Sequence, residues 1–378
     1  MKSKKEEIFK TEEKYCSQVF GRFPLVIERG KGAYVWDSDG KKYLDFFAGI
    51  AVLSLGHCHP KVVLALKKQA EKLWHTSNWY YTRPQADLAK TLSKMTGMEK
   101  VFFTNDGTES VECAMKLARK ATGKKEIIAF KNSFHGRTMG ALSLTWAEKY
   151  KKPFEPLVPG VKFVEYGNVS ALEDALTDDT AAVVVEPIQG EAGVLVPPEG
   201  YLKELREATE KKGVLLILDE CQTGFGRTGD MFYFQAEKIQ PDILCLAKAL
   251  ANGFPMGATL FSGFDFERGQ HGGTFIGNPL ACAAALASVE TIVKEKLHLN
   301  ARKQGAYLMR NISSLGVKAH GKGLMVGFDV KDGRKTVSAL IKEGVLTVPS
   351  GNTVRLLPPL IIGKRHADEF INALEKVI

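Results

Sequence analysis

The chain reads as an α/β protein with a large, mainly parallel sheet domain and a smaller α+β domain. Three observations carry that expectation. From about residue 100 to residue 250, short apolar runs alternate with longer amphipathic stretches, the pattern of strands joined by helical crossovers. The short runs are apolar at successive positions rather than at every second one, as in strands buried on both faces. Beyond residue 265 that rhythm is lost, and short β-like runs such as "GLMVGFDV" and "NTVRLLPPLII" mix with helices.

The elements follow in order. "AYVWDSDGKKYLDF" reads as a hairpin with its turn at Asp37-Ser38-Asp39-Gly40, because such residues tolerate the backbone a tight turn needs. Strands are expected at Val101–Thr104, Glu126–Phe130, Ala182–Pro187, Val214–Asp219 and Ile243–Ala247. Helices are expected at Glu109–Thr122, Tyr201–Lys212 and Gly277–Glu295. In the first of these, Val111, Ala114, Met115, Leu117 and Ala118 recur on one face. The large domain is expected over 58–265, and the smaller one from 1–57 together with 266–378.

Composition narrows the function class. With 44% hydrophobic and 25% charged residues, the chain has enough apolar matter for a core. No apolar stretch reaches the length of a membrane span. The N-terminus, "MKSKKEEIFKTEEKY", is charged without an apolar centre, so a secretory signal is not expected. The six cysteines are scattered and form no C-x-x-C. Reduced thiols in a cytoplasmic protein are expected, with no metal site and no disulfide framework. The net charge of +9 comes from lysines interspersed with acids, which suits solvated helix faces and anionic small molecules better than nucleic acid.

Two glycine motifs compete for attention. Gly224-Phe225-Gly226-Arg227-Thr228-Gly229 satisfies G-x-G-x-x-G. A dinucleotide turn, however, places its first glycine at the strand end and opens a helix at the third. Here "DECQT" intervenes and no helical period follows. A nicotinamide oxidoreductase is thus the alternative of a different class. "GVKAHGKG" (316–323) lacks the Ser or Thr of a phosphate-binding P-loop. A better phosphate site lies in "VFFTNDGTESVECAMKLARK". There a strand passes through small residues into a helix, with Asp106 as N-cap and Glu109 three residues on. The N–H groups of Gly107 and Thr108 and the Thr108 hydroxyl could hold an anion. Asp219 closes one apolar strand and Lys248 follows the next. If those strands are parallel neighbours, both side chains emerge at one sheet edge, where ligands gather. A carboxylate, an amine and a phosphate cradle at one edge are what pyridoxal phosphate requires. A carboxylate about 4 Å from a pyridinium is worth roughly 4 kcal/mol at an effective dielectric of about 20, enough to raise the nitrogen's pKa by about three units.

Eight segments in order, "LGHCHP", "LWHTSNWYYTRPQADLAKTL", "FHGRTMGALS", "EPIQGEAGV", "LDECQTGFGRTG", "LAKALANGFPMGA", "HGGTFIGNPLACAAA" and "VRLLPPLII", resemble the class III, fold-type I, pyridoxal-phosphate-dependent aminotransferases over nearly the whole chain. The resemblance implies that Lys248 bonds the cofactor and shuttles the proton, and that Asp219 holds the pyridinium. It implies that Gln222 meets the ring's 3-oxygen, Phe134 stacks on one face and Cys221 packs on the other. Gly107 and Thr108 would bind the phosphate. Thr274 would reach the phosphate of a neighbouring subunit in a homodimer with shared sites. Arg137 would clamp the α-carboxylate of N-acetylornithine as amino donor. Arg355, alternating with Glu191, would take a carboxylate of glutamate or 2-oxoglutarate. With N-acetylornithine as donor, the resemblance implies a place in arginine biosynthesis, with a further role in lysine biosynthesis left open. Succinylornithine, succinyl-diaminopimelate, ornithine and 4-aminobutyrate are the alternative donors. His135 is expected to be structural, since Lys248 supplies the base. The sequence departs from the family at Cys221, where valine is usual, and at Gly273, where a serine often contacts substrate; the second departure bears on acyl specificity.

Overall fold

The computed structural model describes residues 4–378. A seven-stranded sheet runs in the order Lys100–Thr104, Gly257–Phe261, Ile243–Leu246, Leu215–Asp219, Thr180–Val185, Glu126–Phe130, Val161–Val164. All pairings are parallel except those of Gly257–Phe261, which is antiparallel to both its neighbours. The expected strands lie within two residues of their observed bounds. The sequence reading did not identify Gly257–Phe261 and Val161–Val164.

Successive side chains of a strand point to opposite faces, and here both faces are covered. Leu216, Leu218, Leu244 and Leu246 join one apolar cluster, while Ile217, Ile243 and Cys245 join the other. That is why these strands are apolar throughout. The helix Gly107–Thr122 covers the second face with Val111, Ala114, Met115, Leu117 and Ala118, all buried. It begins two residues earlier than expected and ends at Gly123, whose φ of +71° favours glycine.

Two smaller sheets flank the large one. Ile27–Lys31, Tyr34–Asp37 and Lys42–Asp45 form an antiparallel meander, and Val345–Leu346 adds to it in parallel. The expected hairpin is present, and Asp37 Oδ1 closes its turn by accepting the N–H groups of Asp39 and Lys41. The other sheet orders Ala319–Lys322, Met325–Asp329, Thr353–Leu356 and Val348–Ser350, all antiparallel. The long helix Pro279–Lys294, in the stretch expected to belong to the smaller domain, packs against helices Pro60–Ala70 and Arg83–Thr96. No described helix is long and apolar enough to cross a membrane.

Candidate active site

Asp219 is the last residue of its strand, and Lys248 opens a short 3-10 turn just after the parallel neighbour Ile243–Leu246. Both therefore reach the same C-terminal edge of the sheet. A cavity of about 420 Å³ opens there. Its wall includes Gly107, Thr108, Phe134, Arg137, Glu191, Asp219, Cys221, Gln222 and Lys248. Residues spread over 142 positions of sequence, from Gly107 to Lys248, are gathered because each ends a strand or starts the segment after one.

Asp219 is buried and held from two sides. His135 Nδ1 lies 2.8 Å from Oδ2, and the Cys221 N–H donates to Oδ1 at 3.1 Å. Burial works to raise the Asp219 carboxyl, but the His135 hydrogen bond and charge, with the charge of Lys248, hold it below the ordinary carboxylate value. Burial likewise works to lower His135, and the hydrogen bond and charge of Asp219 raise it. The pair thus favours an anionic Asp219 beside a cationic imidazole. The sequence reading expected His135 to be structural and did not foresee this contact. The only local signal was its place beside Phe134. Glu186, which opens "EPIQGEAGV", is also on the cavity wall, a place the sequence does not announce. Its Oε1 accepts the Phe134 N–H at 2.9 Å, and burial pushes its carboxyl up to about 7.

The start of the helix Gly107–Thr122 is capped as expected, with one difference. Asp106 caps the helix by accepting the Glu109 N–H at 2.9 Å. The Glu109 carboxylate returns to the Asn105 N–H at 2.7 Å, one residue before the usual reciprocal partner. The N–H groups of Gly107 and Thr108 have no helical carbonyl behind them. Thr108 Oγ1 sits 2.9 Å from Thr138 Oγ1, and accepts the Arg137 N–H at 3.2 Å. Space is tight: a Cβ on Gly107 would lie 3.0 Å from Cys221 Sγ, and one on Gly136 only 2.1 Å from Thr108 Oγ1.

Arg355, on the strand Thr353–Leu356, is buried. Its Nη1 donates to Gly190 O at 2.9 Å and to Glu191 Oε1 at 2.8 Å. Glu191 is on the cavity wall, so the ion pair stands at its rim. Arg137 is exposed, with its guanidinium 3.6 Å from the Tyr150 ring centroid and 5.4 Å from that of Phe134. Gly273 and Thr274 are exposed and outside the cavity wall of their own chain.

The donor set fits pyridoxal phosphate. An amine, an anionic carboxylate and a helix N-terminus converge on one cavity between an aromatic ring and a thiol. Among the described residues, Gln222 Oε1 and His135 Nε2 are buried with no hydrogen-bond partner, and both residues line the cavity. The 224–229 glycines do not line this cavity. Gly226 and Gly229, with φ of +90° and +101°, lie against His298 and Arg302 of the helix Leu297–Ser314. They serve close packing.

The aminotransferase class-III family model matches residues 15–378. The acetylornithine aminotransferase of Methanopyrus kandleri is 50% identical over 97% of this chain and 96% of its own. Among solved structures, the ornithine aminotransferase of Toxoplasma gondii superposes with a TM-score of 0.96 at 36% identity, covering 99% of this chain and 93% of its own. The acetylornithine aminotransferase of Elizabethkingia anophelis does so with a TM-score of 0.89 at 36% identity, covering 99% of this chain and 98% of its own.

Proposed function

Because the chain belongs to the class III aminotransferases, a pyridoxal-phosphate-dependent family, we propose that it moves the δ-amino group of N-acetylornithine to 2-oxoglutarate. The products are N-acetylglutamate 5-semialdehyde and glutamate. The observation that carries this reading is the meeting of Lys248 and Asp219 at one cavity with a carboxylate clamp at its rim. When bound, pyridoxal phosphate supplies a carbonyl carbon that exchanges amines and a ring that withdraws electrons.

The chain's residues do the rest. Lys248 takes the proton from the amine-bearing carbon of the donor, as a general base held within reach. Asp219, kept anionic by His135, would hold the ring nitrogen protonated. Phe134 and Cys221, on the cavity wall, would confine the ring, Gln222 would meet its 3-oxygen, and Gly107 and Thr108 would hold the phosphate. Arg137 binds the donor's α-carboxylate; bidentate geometry suits guanidinium to that task. Arg355 pairs with Glu191 and would keep that pair while the donor, which brings no second carboxylate, is bound. It releases Glu191 when the dicarboxylate acceptor arrives, so one site serves both partners. Gly273, where family members often carry serine, offers the substrate no hydroxyl and keeps only its backbone N–H, which bears on acyl preference.

The active unit is a cytoplasmic homodimer. Thr274 reaches the phosphate of the partner's site, which accounts for its distance from the cavity of its own chain. Trp79, Tyr80 and Tyr81, 91%, 69% and 105% exposed, form the apolar surface that a second copy covers. The test is a comparison of initial rates on N-acetylornithine, N-succinylornithine, ornithine and 4-aminobutyrate with 2-oxoglutarate as acceptor, with Lys248→Ala as the inactive control. N-acetylornithine is expected to be fastest. Faster turnover of ornithine would overturn the substrate assignment.

A further inference from the structure

Arg227, inside the G-x-G-x-x-G run, is a buried cation without a carboxylate. It is 1% exposed, and among the described residues no acid lies within ion-pairing distance of it. Its Nη1 donates to Leu324 O at 3.0 Å and to Pro358 O, and its Nη2 donates to Ser54 Oγ at 3.4 Å. Its Nε has no partner. Burial alone drags the guanidinium down to about 9. An apolar side chain of similar size would fill this space at lower cost, so the fork of donors needs another explanation.

The three acceptors identify what the fork joins. Leu324 precedes the strand Met325–Asp329, in which Gly327 pairs with Arg355. Pro358 lies three residues after Arg355. Ser54 lies two residues after Val52, which lines the cavity. Two further bonds tie the same segments together: Leu324 N–H donates to Arg227 O at 2.9 Å, and Leu360 N–H donates to Ser54 O at 2.7 Å. Arg227 itself stands eight residues after Asp219, on the loop that leaves the cofactor edge. One planar guanidinium therefore joins the cofactor loop to the start of the strand paired with the Arg355 strand, to the segment that follows the Arg355 strand, and to the segment after Val52.

The geometry points to Arg227 as a positioning residue that sets the distance from the Arg355–Glu191 clamp to the cofactor edge, and so governs recognition of the dicarboxylate acceptor. The inference rests on the reading that Arg355 takes a carboxylate of 2-oxoglutarate. The donor is held on the Arg137 side, which Arg227 does not touch, and so the two half-reactions separate the role from general stability. A lysine ammonium is a point donor and cannot reproduce the planar fork.

The test uses the holoenzyme of wild type, Arg227→Lys and Arg227→Gln. Each half-reaction is followed separately in single turnover through the cofactor absorbance. Binding of glutarate, an unreactive dicarboxylate, is measured at equilibrium. Expected are at least a tenfold rise in the dissociation constants of 2-oxoglutarate and glutarate in both variants, and a donor half-reaction within threefold of wild type. Equal losses in both halves, or unchanged glutarate binding, would overturn the proposal. Failure of both variants to fold would make Arg227 a residue of the fold alone and would also overturn it. A wild-type enzyme that transaminates but ignores glutarate would remove the reading of Arg355, and this inference with it.

Discussion

At the residue scale the site depends on how Asp219 is kept charged while buried. Its two oxygens are held by an imidazole and a backbone N–H. Replacing His135 by Phe keeps the volume and removes the donor. A hydrogen bond to a charged group is worth about 1.5–3 kcal/mol, so cofactor affinity should fall by roughly ten- to a hundredfold, read by titrating the apoenzyme with cofactor. A second buried acid has a different consequence. Glu220 accepts the N–H groups of Tyr233 and Phe234 and the Thr223 hydroxyl, yet burial pushes it from 4.5 to about 7. Across that window the folded chain holds a proton the unfolded chain has lost, so stability falls as pH rises and levels off above the folded value. The contribution is at most about 3 kcal/mol at roughly 1.36 kcal/mol per unit. Glu186 and His135, both also raised, act in the same direction. Asp219, which is lowered, stabilises above its unfolded value and loses that only in stronger acid. The melting temperature should therefore drop from about pH 5 to about pH 8, and Glu220→Gln should flatten that profile in a pH series of thermal melts.

At the element scale, the turn after Phe134 and the start of the helix Gly107–Thr122 share one small volume. Gly136 has a φ of +138°, and a Cβ there would lie 2.1 Å from Thr108 Oγ1 and 2.9 Å from Ala141 Cβ. Gly136→Ala pays for backbone strain and overpacking together, about 2–4 kcal/mol. Because the displaced atom is the Thr108 hydroxyl, cofactor affinity should weaken along with thermal stability. Thermal melts and cofactor titration of the same preparation check both. Retained affinity at reduced stability would place the phosphate elsewhere. Lys248 itself has φ +38° and Asn252, four residues on, φ +47°. Asn252 fastens that turn by accepting the Leu55 N–H at 2.7 Å and donating to Gly56 O at 3.1 Å, which links the lysine to the N-terminal segment at the cavity wall.

For the whole molecule, the prediction concerns assembly. Large aromatic side chains at 79–81 are exposed in the single chain, and such a patch marks a contact surface. If the sites are shared as proposed, the double substitution Trp79→Glu with Tyr81→Glu should give a monomer by light scattering, with activity reduced at least tenfold, since each site would lose the partner's Thr274. A dimer of full activity would contradict shared sites.

Much of this was legible in the chain itself. A strand buried on both faces must be apolar at every position, so Leu216-Ile217-Leu218 and Ile243-Leu244-Cys245-Leu246 announced a covered sheet. A carboxylate or an amine at the end of such a run cannot be core, so Asp219 and Lys248 stood out. The capped start of the helix Gly107–Thr122 was readable because capping is local. Tertiary structure alone decided what depends on residues far apart in sequence. Asp219 meets His135 across 84 positions, Arg355 meets Glu191 across 164, and Arg227 reaches Ser54, Leu324 and Pro358. The strand Gly257–Phe261 is a short apolar run that owes its antiparallel direction to its neighbours, and no local pattern states that direction. Sequence specifies what each residue can do over one turn or one pleat. Which distant groups share a cavity is set by how the layers pack, and no local pattern encodes that.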